Sequence, residues 1–343
     1  MAREQAGRQS RRIWHIGARL AAALALGLVL GNLAGGGIAL GASFPPTHER
    51  AGSLTPEGVK LYRLPDDWRT DSGKIDQDAI VAQQKKRREV INEVLGIRLQ
   101  MAETSHYLLF SDAGRTVSRY FLKWCEQLYR GLLVKFALPK GAKVWDGKCV
   151  LILFRDRRQF ESYARRYDGM KSASRAGAYF GIEAHGQGAP NLTHICVPID
   201  TDDSRRLQEL FVHEGTHAFF ELYRTQGRLP LWLHEGLAEF MTTVNDRELR
   251  PRKWKPAAQV ARSGRPIRPI FQVPMGGTLS VAQYRVAFTL VDFLLKAGRP
   301  KFKTFVHHLK DGTGQEEALK DAYGWTFEDL EKRWRLYLTR AGP

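Results

Sequence analysis

The sequence predicts an α+β protein in which a small α/β sheet layer is followed by a mostly helical portion. Three observations point there. Between residues 104 and 200, short apolar runs of strand length are separated by segments with apolar residues at helical spacing. From Asp200 to the end the character is helical throughout. The 343 residues are 43% hydrophobic, enough for one large core or two small ones.

The elements are read in chain order. Residues 1–19 carry Arg3, Arg8, Arg11, Arg12 and Arg19 against Glu4 alone, and residues 20–44 carry no charge. A basic stretch before an apolar, small-residue-rich stretch is the pattern of an export leader cut near residue 43. Ser10-Arg11-Arg12-Ile13-Trp14 resembles a twin-arginine signal. An uncleaved membrane anchor over residues 20–44 is the alternative, disfavoured by the glycines and Asn32. Domain limits follow: 1–43 leader or anchor, 44–100 linker and basic helical arm, 101–343 the principal domain, divided into 101–200 and 201–343.

Pro, Gly and charge mark residues 44–71 as a linker or irregular arm, and residues 77–95 read as a Lys/Arg-thick helix. Tyr107 to Phe110, Cys149 to Phe154, Ala178 to Phe180 and His194 to Val197 are strand signals. Helices are expected over 117–136 and 158–167 between them, giving a β-α-β-α-β-β order. Asp202, Asp203 and Ser204 offer caps to a helix over 205–225 that stops near Gly227, and Pro230 opens a second through about Val244. Residues 247–268, with eight Lys/Arg, one Glu and several prolines, read as a basic loop. Helices recur over 281–296, 301–309, 316–323 and 327–339.

A formal charge of +17 suits an anionic polymer or a membrane surface, although a solvated basic face is the plainer reading. Neither zinc-finger spacing nor an RNA-recognition signature accompanies it, so no specific nucleic-acid partner is expected. Cys125, Cys149 and Cys196 are scattered, which argues against a cysteine-based metal or redox site. Three buried thiols, or one disulfide and a free thiol, both fit.

Chemistry concentrates in residues 210–240. His213 and His217 lie four apart, so a helix projects both imidazoles toward one point and leaves Glu214 beside them. Catalytic zinc takes three protein ligands and keeps one position open. An antiparallel second helix returns Glu235 to the level of the first, making Glu235 the third ligand of one Zn²⁺ per chain. Glu239, one turn on, is the competing ligand, and otherwise a group that supports a ligating histidine. His234 is expected in the first turn, facing solvent or the cleft rim, and His307 and His308 on the surface.

These motifs resemble the gluzincin metallopeptidases, the group of thermolysin and the aminopeptidase N family. Trp232-Leu233-His234-Glu235-Gly236-Leu237-Ala238-Glu239-Phe240 is similar to the latter family's Trp-Leu-Asn-Glu-Gly-Phe-Ala-Glu-Tyr, whose first Glu binds zinc. The resemblance implies His213, His217 and Glu235 as zinc ligands, Glu214 as general base and a zincin-like catalytic portion. Ser280 to Phe288 resembles the segment with that family's transition-state tyrosine, which makes Tyr284 the candidate oxyanion donor. The layout over roughly residues 101–340 is closest to the bacterial peptidase-MA-like proteins (domain of unknown function family 1570). The Gly-x-Met-Glu-Asn element that grips a free amino terminus is absent, so exopeptidase specificity is not carried over.

The expected activity is therefore exported, zinc-dependent hydrolysis of a peptide or protein substrate, with the strand near Ala178 to Phe180 offering an edge to an extended chain. Two rivals belong to other classes. One is a non-hydrolytic zinc-binding cleft protein, which the presence of Glu214 disfavours; the other is a basic envelope protein that binds anionic polymer.

Overall fold

A computed structural model describes residues 54–340 apart from 184, 186 and 187. The leader or anchor expected over residues 1–43 lies outside the described residues. Among the described residues, no helix is long and apolar enough to cross a membrane.

The sheet has five strands: β1 (Gln100–Glu103), β2 (Tyr107–Ser111), β3 (Cys149–Phe154), β4 (Tyr179–Glu183) and β5 (Leu192–Pro198), in the order β1-β2-β3-β5-β4. The inner pairs β2–β3 and β3–β5 are parallel, and the edge strands β1 and β4 run antiparallel to their neighbours. β1, too polar to give a strand signal, was not anticipated. The inner strands are buried at every position and mostly apolar, because both faces are covered, as parallel strands require.

Alternation along the strands sorts side chains into two cores. Tyr107, Leu109, Leu151, Leu153, Ile195 and Val197 join the larger core, under α3 (Arg115–Lys135), α5 (Ser204–Leu222) and the later helices. Leu108, Phe110, Val150, Ile152 and Cys196 face the smaller core, under α1 (Pro56–Leu61), α2 (Gln77–Leu95) and α4 (Arg157–Arg166). The stretch expected as a linker thus contains a helix, and Leu61, Tyr62 and Ile91 bring residues of the arm into the smaller core. All three cysteines are free and buried.

The remaining helices are α6 (Leu231–Asn245), α7 (Leu249–Arg262), α8 (Val281–Ala297), α9 (Arg299–Lys310), α10 (Gln315–Tyr323) and α11 (Phe327–Arg340). α5 starts where the Asp203 carboxylate accepts from the Arg205 and Arg206 amides, and α8 starts with a reciprocal Ser280–Gln283 capping box. α7 overturns the basic loop expected over residues 247–268. Pro256 removes one backbone donor inside it, but Trp254, Ala257, Ala258 and Ala261 form a buried face at helical spacing that outweighs the loss.

Two glycines set the helix spacing around the sequence motifs. A Cβ on Gly215 of α5 would stand 2.5 Å from the Cδ2 of Leu128 on α3. A Cβ on Gly236 of α6 would stand 2.5 Å from the carbonyl oxygen of Ala287 on α8, where no side chain can swing aside. α6 and α8 therefore cross at close to backbone contact.

The smaller core encloses an ion network. Arg87 of α2 donates to both carboxylate oxygens of Glu183 at 2.7 and 2.8 Å. His194 stands 3.6 Å from Glu183 through Nδ1 and 3.1 Å from Asp168 through Nε2. Asp168 also accepts from the hydroxyls of Tyr62 at 2.7 Å and Tyr179 at 2.5 Å. Burial would lower the pKa of His194, but Asp168 and Glu183 outweigh it and raise it to about 9. Burial alone would raise Glu183; Arg87, His185 and His194 hold it well below the usual carboxylate range. Asp168, His194 and Cys196 lie close enough to hold a metal. The matched charges and the two tyrosine donors on Asp168 instead make this a structural network.

Two outcomes follow. Gly236→Ala should destabilise the fold by about 1–3 kcal/mol, because α6 and α8 must separate; an unchanged melting temperature would refute the close crossing. Because the folded-state pKa of His194 is raised, its stabilisation is full below the ordinary 6.5 and is lost as pH rises through about 9. Denaturant titrations from pH 6 to 10 should show that decline in the wild type and a flatter profile in His194→Gln. Parallel profiles would sink the assignment.

Candidate metal centre

α5 and α6 converge where the sequence motifs lie. His213 and His217 sit one turn apart on α5, with their Nε2 atoms 3.1 Å from each other. On α6, Glu235 places Oε2 3.6 Å from the His213 Nε2 and Oε1 3.6 Å from the His217 Nε2. His217 and Glu235 are buried and His213 is half-buried. The antiparallel return argued from the turn at Gly227 and Pro230 is what brings these three together.

The donor set fits a divalent ion. Ligand atoms ~2.0–2.1 Å from a tetrahedral zinc stand roughly 3.3 Å from one another. The two Nε2 atoms stand 3.1 Å apart and each lies 3.6 Å from one of the two Glu235 oxygens, close to that value. Two neutral imidazoles and one carboxylate are donors that zinc takes readily. Burial lowers the His213 pKa to about 4, so its ring is neutral near pH 7, the form that ligates. Burial also raises the Glu235 carboxyl, and the neighbouring Glu239 and Glu214 raise it further. A bound cation removes that penalty.

Glu239 and Glu235 lie against opposite nitrogens of the His213 ring. The Glu239 Oε1 stands 3.7 Å from the Nδ1 of His213, on the far side of the ring from the Nε2 triangle. A carboxylate there orients the imidazole and raises its basicity. Burial would raise Glu239 itself, but Lys253 and Arg285 outweigh it and keep it ionised. Arg285 donates to Oε2 from α8, and the Lys253 Nζ stands 3.2 Å from the same oxygen. Lys253, buried on α7, also reaches Glu209 at 2.9 Å and the Thr242 hydroxyl at 2.7 Å.

Glu214 is buried one residue after His213 and acts electrostatically on both Glu235 and Tyr284. Tyr284 lies half-buried in the first turn of α8. Burial first, then Glu235, Glu239 and Glu214, push its hydroxyl well above the usual tyrosine value, so it stays protonated as a hydrogen-bond donor. Every residue singled out from the motifs thus belongs to one region.

His234 differs from expectation. It is 2% exposed, with its ring stacked on His217 at 4.1 Å and its Nε2 3.8 Å from Glu221. The cause is that α6 is buried on all sides, so its first turn has no solvent face. Its signal was legible: Glu235 and Glu239 are the only charges in the helix. Phe180 of the edge strand was missed as a site residue. It packs against His217 at 5.7 Å and His234 at 6.3 Å, between ring centroids. Lys253 was hidden in a charge run, and Arg285 beside a more conspicuous tyrosine. Both histidines expected on the surface are instead partly buried: His307 shares a 2.8 Å hydrogen bond with the Tyr223 hydroxyl, and the His308 Nδ1 stands 3.2 Å from Asp321.

A family model described as the Peptidase MA superfamily matches residues 174–340, the span from the approach to β4 to the end of α11. The matched span contains His213, Glu214, His217, Glu235, Glu239 and Tyr284. The match supports a zincin-like peptidase superfamily and a hydrolase of metallopeptidase type. No curated protein matches the chain.

Metal analysis of the purified protein should find close to one divalent ion per chain, lost in His217→Ala and in Glu235→Ala. Glu239→Ala should keep the ion but weaken its hold about 10–100-fold in a chelator competition. Full metal content in Glu235→Ala would refute the three-ligand arrangement.

Proposed function

We propose that the chain is an exported zinc-dependent metallopeptidase that hydrolyses peptide bonds of a peptide or protein substrate. The observation that carries this reading is the convergence of His213, His217 and Glu235, with the buried Glu214 beside them and Tyr284 facing from α8. His213, His217 and Glu235 would hold the zinc. Zinc in such a site supplies Lewis-acid chemistry, polarising a carbonyl and making water more acidic.

The chain's own groups do the rest. Glu214 takes a proton from the attacking water and delivers it to the departing amine. Tyr284, kept protonated by its surroundings, donates to the oxygen that gains charge as the carbonyl carbon becomes tetrahedral. Glu239 holds the His213 ring in place, with Lys253 and Arg285 holding Glu239. β4 is an edge strand with Phe180 against the site, so an extended substrate adding to that edge runs past the ligands. The basic-then-apolar pattern of residues 1–43 supports export. A non-hydrolytic zinc protein would have no use for Glu214, and a basic polymer-binding protein would need none of these groups.

Glu214→Gln should retain the metal and lower cleavage of a quenched peptide library about 10²–10⁴-fold. Tyr284→Phe should lower kcat with little change in KM. Wild-type cleavage by a metal-loaded Glu214→Gln protein would end this proposal.

A further inference from the structure

Away from the metal centre lies a cleft of about 790 Å³ with an unusual charge balance. Lys135 from the end of α3, Arg247 and Arg250 around the start of α7, Lys296 from the end of α8 and Arg299 from the start of α9 line it, with Asp292 as its one acidic residue. Asp292 is already engaged: it takes a bidentate pair from Arg250 at 2.9 and 2.7 Å and a hydrogen bond from the Tyr337 hydroxyl at 2.5 Å. Among the described residues, Lys135, Arg247, Lys296 and Arg299 stand within ion-pair range of no carboxylate, and Lys296 meets only the face of the Tyr337 ring, at 5.1 Å. Four uncompensated cations around one concavity repel one another until an anion arrives.

The backbone adds to this field. α9 is twelve residues long, and its N-cap, Gly298, lines the cleft and supplies no side-chain acceptor for the first-turn amides. The partial positive charge of a helix start therefore faces the same space. α8 ends alongside and brings opposing carbonyls, but that of Leu294 is taken by the Gly298 amide at 3.2 Å and the Tyr323 hydroxyl at 2.9 Å. The volume suits a small molecule rather than a buried peptide, since ligand pockets run from about 300 to 1,000 Å³.

We propose that this cleft binds a phosphate group, carried by a small solute or by a lipid headgroup. Guanidinium forks, ammonium groups and a helix start together favour a tetrahedral, multiply charged anion over a single carboxylate. The site is separate from the chemistry. On α6 its lining begins at Phe240, five residues beyond Glu235, or about 7.5 Å at 1.5 Å per residue, and continues away from it through Thr243 and Val244. It does not depend on the peptidase reading.

The test uses the full chain, inorganic pyrophosphate, and vesicles of phosphatidylglycerol or of phosphatidylcholine. The exposed pair Arg247→Glu/Arg299→Glu is set beside Lys86→Glu/Lys171→Glu, an equal charge change at exposed lysines elsewhere. Pyrophosphate, measured by calorimetry, should bind the wild type and the control alike and the cleft variant at least about tenfold more weakly. In the wild type it should also protect Lys135 and Lys296 from acetylation, a readout that needs no variant. Binding to phosphatidylglycerol but not phosphatidylcholine vesicles, lost in the cleft variant, assigns the phosphate to a headgroup; binding of pyrophosphate alone assigns it to a solute. No binding of pyrophosphate or of phosphatidylglycerol, or equal losses in the two variants, overturns the proposal.

Discussion

Helix α6 lies against the backbone of α8 at Gly236, and most of the site's geometry is a consequence of that contact. The crossing sets Glu235 level with the two imidazoles of α5, and it brings the first turn of α8, with Tyr284 and Arg285, over the same space. A side chain at position 236 would push these groups apart together. Gly215 performs the matching service on α5, where it lets α3 approach from the other side. The glycine that follows each His-Glu pair is therefore a packing residue, and the chemistry beside it depends on the packing.

Bringing carboxylates so close together has an electrostatic cost, which the fold offsets unequally. Glu239 faces Lys253 and Arg285, so it remains charged behind His213. Burial raises the Glu235 carboxyl, and Glu239 and Glu214 raise it further. The contrast distinguishes the two carboxylates more clearly than position on the helix does. It also explains why a strongly basic helix, α7, belongs in the interior of the design: Lys253 is the one lysine of its run that is buried.

Much of this was legible in the sequence. The i, i+4 imidazoles, the returning helix and the apolar strand runs are local patterns with one geometric solution each. α7 was not legible as a helix, because Pro256 and five Lys/Arg residues masked the alanine–tryptophan face that buries it. β1 was missed because an edge strand with exposed residues has no apolar signature. His234 was misplaced because a histidine next to a ligand reads as polar, whereas the helix around it has no wet side. The strand around Phe180 was legible as an edge, but the contact of Phe180 with His217 and His234 was not, since it comes from strand order rather than from any neighbour in the chain.

The alternation of β4 has a practical consequence. Tyr179 and Glu183 point into the smaller core, where Arg87 and Asp168 hold them, while Phe180 points at His217. One five-residue strand is thus clamped by the N-terminal arm on one face and packs against His217 with the other. An expression boundary drawn at residue 101, where the composition changes, would cut away half of that clamp. The shortest recombinant version that keeps the cleft intact begins near residue 54, ahead of Leu61 and Tyr62.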